Sequence, residues 1–139
     1  MLKGKQLLAY TAGIIDGEGC ICISTHKNDT KRGYSYQLFV TVKSTNEWLI
    51  HWLKMQYGGI LGSQKGKGKF SDTWTWTLSS NKAMEFLKLI SSYLYIKRPH
   101  AEIAIAYQSR QHNRTKSDDE VALFEAERIL LSKLNHRGK

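Results

Sequence analysis

Residues 6–16 read Gln-Leu-Leu-Ala-Tyr-Thr-Ala-Gly-Ile-Ile-Asp, a run with almost no polar face. A helix apolar all round is one that other structure covers. The run is far short of the roughly 20 residues that cross a bilayer. Lys3 and Lys5 imitate the start of a secretory signal, but the apolar run passes into Asp16 and Glu18 with no small-residue cleavage site. It is therefore read as the first folded element. Ala9, Gly13 and Gly17 stand at i, i+4 and i+8, one ridge nearly bare of side chain. Such a ridge lets a second helix approach with backbones almost touching; the plainer alternative is packing against the chain's own sheet. Asp16-Gly17-Glu18-Gly19 follows, and its two glycines predict the turn that ends the helix. A carboxylate at the foot of an apolar helix is costly to bury unpaired. A divalent cation shared with a glycine carbonyl would pair it.

The rest of the chain alternates cleanly. Residues 20–24 (CICIS) and 34–44 (YSYQLFVTVKS) predict two strands around a polar tip that carries Lys27, Lys31 and Arg32. Asn46 caps a helix to residue 57, with Trp48, Leu49, Trp52, Leu53 and Met55 on its expected inner side. Residues 60–62 and 73–79 (TWTWTLS) predict a second hairpin around the tip Gln-Lys-Gly-Lys-Gly-Lys-Phe. Trp74 and Trp76 share one strand face and are read as core. Asn81 caps a helix to about residue 94, with Met84, Leu87, Ile90 and Leu94 inward. Pro99 opens a helix over 100–110, and Ser117 caps a last one over 117–135. The order is α-β-β-α-β-β-α-α-α, without linker or low-complexity run. It is an α+β chain with an antiparallel sheet and helices on one face. One domain spans 1–139, with a core over about 5–112.

Charge narrows the partner. Of 139 residues, 21 are Lys or Arg and 12 Asp or Glu, a net +9, while 41% are apolar, too many for a disordered basic tail. A folded domain this basic points to a polyanion, nucleic acid ahead of a membrane. Cys20 and Cys22 have neither metal-ligand nor redox spacing and read as strand residues of a reducing compartment. The five histidines form no pair at helical spacing, so a zinc site has no support.

The string Thr11-Ala12-Gly13-Ile14-Ile15-Asp16-Gly17-Glu18-Gly19, followed by Cys20-Ile21, resembles the nine-residue signature of the LAGLIDADG homing endonucleases. Seven of its nine positions are identical or similar. The element order resembles that family's over about the first hundred residues. The resemblance implies a saddle-shaped antiparallel sheet and a homodimer of single-motif chains, since one chain brings one copy of the motif. It places Ala9, Ala12, Gly13 and Asp16 at the dimer interface. Glu18 becomes the catalytic carboxylate and metal ligand, with the Gly17 carbonyl as second ligand for Mg²⁺ or Mn²⁺ and no organic cofactor. Lys97, within Tyr93-Leu94-Tyr95-Ile96-Lys97-Arg98, matches the family's lysine after the last sheet helix and is the expected catalytic cation. Asp16 is assigned to capping the partner helix or the turn. Val42 and Asn46, with Lys43 one place away, stand where some relatives carry a polar residue and an arginine.

The implied activity is site-specific cutting of both strands of a long pseudo-palindromic duplex, as for an intron- or intein-encoded mobile element. Between residues 19 and 71 there are eight basic residues against Asp29 and Glu47, so the hairpins carry most of the net charge. Expected DNA contacts are Ser24, His26, Lys27, Lys31, Arg32, Tyr36, Gln37, Thr41 and Lys43 on the first hairpin. On the second they are Gln64, Lys65, Lys67, Lys69, Thr73 and Thr75. The acidic last helix is expected away from the duplex. Alternatives are a maturase that binds intron RNA, or a DNA-binding protein of this fold without a metal site. The compartment implied is bacterial or phage cytoplasm, or an organellar matrix or stroma, with no secretion.

Overall fold

The computed structural model describes residues 2–27, 34–111 and 117–137, with only the backbone at 26, 27, 34 and 137. Ten elements follow one another. They are α1 (Gly4–Glu18), β1 (Gly19–Lys27), β2 (Tyr34–Ser44), α2 (Glu47–Tyr57), β3 (Ile60–Gln64), β4 (Thr73–Ser79), α3 (Ser80–Ile90), a 3₁₀ turn (Ser91–Tyr93), α4 (Arg98–Ser109) and α5 (Asp118–Arg137). The sheet order is β1-β2-β4-β3 with every pairing antiparallel. The α-β-β-α-β-β-α order and the one-sided layer both hold.

Period-two alternation sets the two sheet faces. Ile21, Ile23, Leu38, Val40, Val42, Trp76 and Leu78 point to the helices and are buried with Ala12, Ile15, Ile50, Leu53, Phe86, Leu87 and Ile90. Trp76 is fully buried, and its Nε1 donates to the Gly58 carbonyl at 2.6 Å, so its polar edge is satisfied inside the core. The register pairs Cys20 with Thr41, Ser24 with Gln37, Lys43 with Thr75 and Gln64 with Thr73. These residues form the opposite face.

Several sequence expectations shift. The helix α1 does not stop at Asp16 and has no glycine turn. It runs to Glu18, and Gly19 (φ −84) enters β1 directly while its N–H donates to the Ile15 carbonyl. The need for glycine at 19 is spatial, since a Cβ there would lie 2.9 Å from the Ile15 backbone. Nor is α1 covered on all sides: Thr11, Ala12 and Ile15 are buried, but Ala9, Tyr10, Gly13 and Gly17 are exposed. On α2 the inward residues are Ile50 and Leu53, whereas Trp48 is 65% and Met55 79% exposed. Asn46 does cap it, accepting from the Leu49 N–H. The helix α3 begins and ends earlier than expected, with Ala83 and Phe86 inward beside Leu87 and Ile90. Asn81 accepts instead from Gln108 Nε2. The Ser117–Glu120 capping box is present, and α5 continues to Arg137.

Candidate active site

The motif converges where α1 meets β1. Asp16 turns its carboxylate toward the segment between the 3₁₀ turn and α4, accepting backbone N–H groups from Tyr95 (2.8 Å), Ile96 (3.2 Å) and Lys97 (2.9 Å). Lys97 Nζ donates to the Asp16 carbonyl at 2.9 Å. Asp16 is thus a capping residue, as its type suggests, but it caps its own chain. The bonds to residues 95–97 and to the Lys97 ammonium all lie within one chain. They bring Lys97 beside Glu18 from a point some eighty positions along the chain, a proximity that no local sequence rule yields.

Glu18 and Lys97 line one pocket of about 590 Å³, together with Gly17, His100, Asn135 and His136. Glu18 is exposed in the single chain, so the cost of burying an unpaired carboxylate is not what gives it a function. Its place in this pocket is. Among the described residues no group of three His, Cys, Asp or Glu side chains is placed to hold a metal. One chain offers one carboxylate and the carbonyl of Gly17, which lies in the last helical turn, where acceptors are left over by the helix. This all-oxygen set suits a hard divalent cation that completes its shell with phosphate oxygens, water or a second copy's carboxylate.

The remaining expected residues sort by face. Ser24, Gln37, Thr41, Lys43, Gln64, Thr73 and Thr75 lie on the face away from the core residues. Lys65, Lys67 and Lys69 are exposed on the β3–β4 connection, which is folded by Gly66 N–H to Asp72 Oδ1 (3.0 Å) and Phe70 N–H to the Lys67 carbonyl (3.1 Å). Tyr36 departs from expectation. It points to the helix side, where its hydroxyl donates to Glu125 Oε2 at 2.9 Å and its ring packs edge-on with Phe124. Burial, then Glu125, pushes its hydroxyl pKa up. Ala12 also departs, since it is fully buried in the chain's own core and cannot face a partner. Val42 is core as well, and Asn46 is occupied as a helix cap. The expectations for Lys31 and Arg32, and for the side chains of His26 and Lys27, lie outside the described residues.

Sequence reasoning missed two features. The first is that His100 and His136 line the same pocket as Glu18, which α4 and the end of α5 deliver through tertiary packing alone. The second is an apolar groove of about 610 Å³ between α1 and α2, lined by Leu2, Leu7, Tyr10, Trp48, Trp52 and Met55. Tyr10 and Trp52 meet edge-to-face and Trp48 stacks on Trp52. The only sequence signal for it was that α2 has more large apolar residues than one face can use.

Comparison with known proteins agrees with this geometry. The curated DNA endonuclease I-CreI of Chlamydomonas reinhardtii is 27% identical over 119 residues, covering 83% of this chain and 70% of that protein. The crystal structure of the homing endonuclease I-CvuI, in complex with the I-CreI target in magnesium and with the DNA not cleaved, superposes with a TM-score of 0.78 at 19% identity. It covers 92% of this chain and 81% of that one. The archaeal intron-encoded homing endonuclease I-Vdi141I, complexed with DNA, gives 0.76 at 15% identity over 92% and 83%. At these identities the two structures establish the fold. The family model described as LAGLIDADG endonuclease matches residues 11–104, from within α1 to the middle of α4. The chain belongs to the LAGLIDADG endonuclease family.

Proposed function

We propose that two copies of this chain form a homing endonuclease that binds a long pseudo-palindromic DNA duplex and hydrolyses one phosphodiester bond in each strand with Mg²⁺ or Mn²⁺. The observation that carries this is Glu18, exposed at the end of α1 in a pocket with Lys97, directly beside a helix ridge that the single chain leaves bare. A Cβ added at Gly13 or Gly17 would meet nothing within 4 Å, so neither glycine is required by packing within the chain. A second α1 laid on Ala9, Gly13 and Gly17 accounts for both. It also brings two Glu18 carboxylates together, one for each strand. The adjoining Tyr10, Trp48 and Met55 extend that face with apolar area.

Glu18 and the Gly17 carbonyl would hold the cation, which when bound activates water and stabilises charge on the phosphate. Asp16 fixes the Lys97 backbone and, through its carbonyl, aims the ammonium. Lys97 sits where negative charge develops on the phosphate. Ser24, Gln37, Thr41, Lys43, Thr73 and Thr75 meet the duplex on the helix-free sheet face, which fits the major groove as a strand ribbon. Lys65, Lys67 and Lys69 reach phosphates from the folded tip.

Cleavage of a randomised-duplex library, with Mg²⁺ and with EDTA, tests the reading. Wild type should cut in Mg²⁺ alone, and Glu18→Gln should bind the selected duplexes without cutting them. Equal cutting by the two proteins would remove Glu18 from the mechanism.

A further inference from the structure

The end of α5 stands at the catalytic pocket, although nothing in the motif requires it to be there. Two contacts hold it. Asn135 Nδ2 donates to the Ile21 carbonyl of β1 at 3.0 Å, and the His100 ring is hydrogen-bonded to the backbone of Leu134. His100 is only 6% exposed, and its Nδ1 is buried without a partner among the described residues. His136, one residue past the Asn135 tether, lines the same pocket as Glu18 and Lys97 and is itself exposed. Charge along α5 is polarised in the same sense. Its first turn carries Asp118, Asp119 and Glu120, whereas the sequence from 132 to 139 holds three Lys or Arg plus His136 and no acid. That order, acids first and bases last, is the one a helix dipole favours in any helix. Phe124 and Leu131 would suffice to cover the core, and the Asn135 bond to β1 additionally fixes where the helix ends.

We infer that the last turn of α5 is a third wall of the active site, and that His136 donates a ring N–H to a backbone phosphate oxygen of the strand lying in the pocket. The inference rests on the endonuclease reading above, and it adds a DNA-positioning residue that the motif does not contain. A ring N–H to an anionic oxygen is a directional bond, so it fixes where the phosphodiester lies relative to Glu18 as well as adding attraction. Asn135 and His100 act through it as positioning residues, by fixing where α5 ends.

The test uses the full-length chain and a duplex selected from a randomised library, with Ca²⁺ for binding and Mg²⁺ for cutting. On binding, the ring resonances of His136 should shift while those of His51, on the outward side of α2, stay in place. His136→Ala should lower the cutting rate at saturating duplex about tenfold, the value of one well-placed hydrogen bond, with affinity changed less than the rate. His136→Gln, which restores a donor, should recover part of the loss. An unmoved His136 resonance, or His136→Ala cutting at the wild-type rate, overturns the inference. Glu18→Gln separates the two readings. Cutting by that variant would remove Glu18 from the mechanism, while the His136 resonance in the same protein still decides the α5 contact.

Discussion

At the residue scale, the motif's two carboxylates divide their work by direction. Asp16 is spent on three backbone N–H groups of residues 95–97 and so builds the pocket, whereas Glu18 is free to act in it. Removing Asp16 leaves those three donors without their acceptor and releases the segment that carries Lys97. Asp16→Ala should therefore cost about 1.5–3 kcal/mol, the range for hydrogen bonds to a charged group. Thermal unfolding should show this as a fall of several degrees. A variant melting within a degree of wild type would mean that solvent replaces the cap at no cost. Glu18→Gln should leave the melting point where it is, because the side chain is exposed. The sequence revealed both residues and their different directions, since two positions two apart on a helix cannot point the same way. It offered Asp16 the partner helix or the turn as its place, because it contained no sign that residues 95–97 fold back over α1. His100 and His136 were not legible at all: each is a lone histidine in its own neighbourhood, and only the docking of α5 brings them together.

At the element scale, strands were read more accurately than helix faces. Period-two alternation leaves little choice, and TWTWTLS places both tryptophans on the inner side as its pattern requires. A helix rich in large apolar residues has no such constraint. Trp48, Leu49, Trp52, Leu53 and Met55 cannot all face one sheet, and which of them turn outward depends on where β4 lies. The outward ones adjoin α1's bare ridge, which makes the glycines informative. Gly13→Ala should leave the single chain's fold intact or raise its stability by about 1 kcal/mol through helix propensity. Sedimentation should nevertheless show weaker dimerisation, because the added methyl stands where the second α1 would lie. Unchanged dimerisation would move the interface off this ridge. Gly59→Ala provides the contrast. Its φ of +105° and a Cβ 2.7 Å from the Thr77 carbonyl predict a loss of about 1–3 kcal/mol or more in the chain itself. The docking of α5 has its own test, in acid. Arg128 and the Tyr36 hydroxyl hold the Glu125 carboxyl below its ordinary pKa of 4.5, and Arg110 pairs with Glu127 across the α4–α5 contact. The unfolded chain takes up the Glu125 proton first as pH falls, so this stabilisation is full above about 4.5 and is lost below it. Glu125→Gln should lower the melting point at neutral pH and narrow its gap to wild type below pH 4. A gap independent of pH would assign the loss to packing.

At the scale of the whole molecule, the net +9 is distributed rather than uniform. The acids Glu125 and Glu127 of α5 are already neutralised by Arg128 and Arg110 on the helix side of the sheet. By contrast Lys43, Lys65, Lys67 and Lys69 are exposed, and none of them has a salt bridge within the described residues. The open sheet face and the β3–β4 tip therefore carry positive charge that no acid offsets by a salt bridge within the described residues, and a dimer presents both twice. Neutralising a phosphate releases about 0.9 of a condensed counterion, so binding should weaken steeply and linearly with the logarithm of salt concentration. Replacing Lys65, Lys67 and Lys69 together by alanine tests where that slope comes from. If all three reach phosphates in each of two copies, the slope should become shallower by about five. The affinity loss should then be large at low salt and shrink as salt rises. Because these contacts read no base, preference among duplex sequences should survive, and that separates them from Gln37, Thr41 and Thr75 on the sheet. A triple variant with both the wild-type slope and the wild-type sequence preference would place the duplex away from this tip. A variant that keeps its slope but loses sequence preference would make the tip a reader of bases rather than an electrostatic arm.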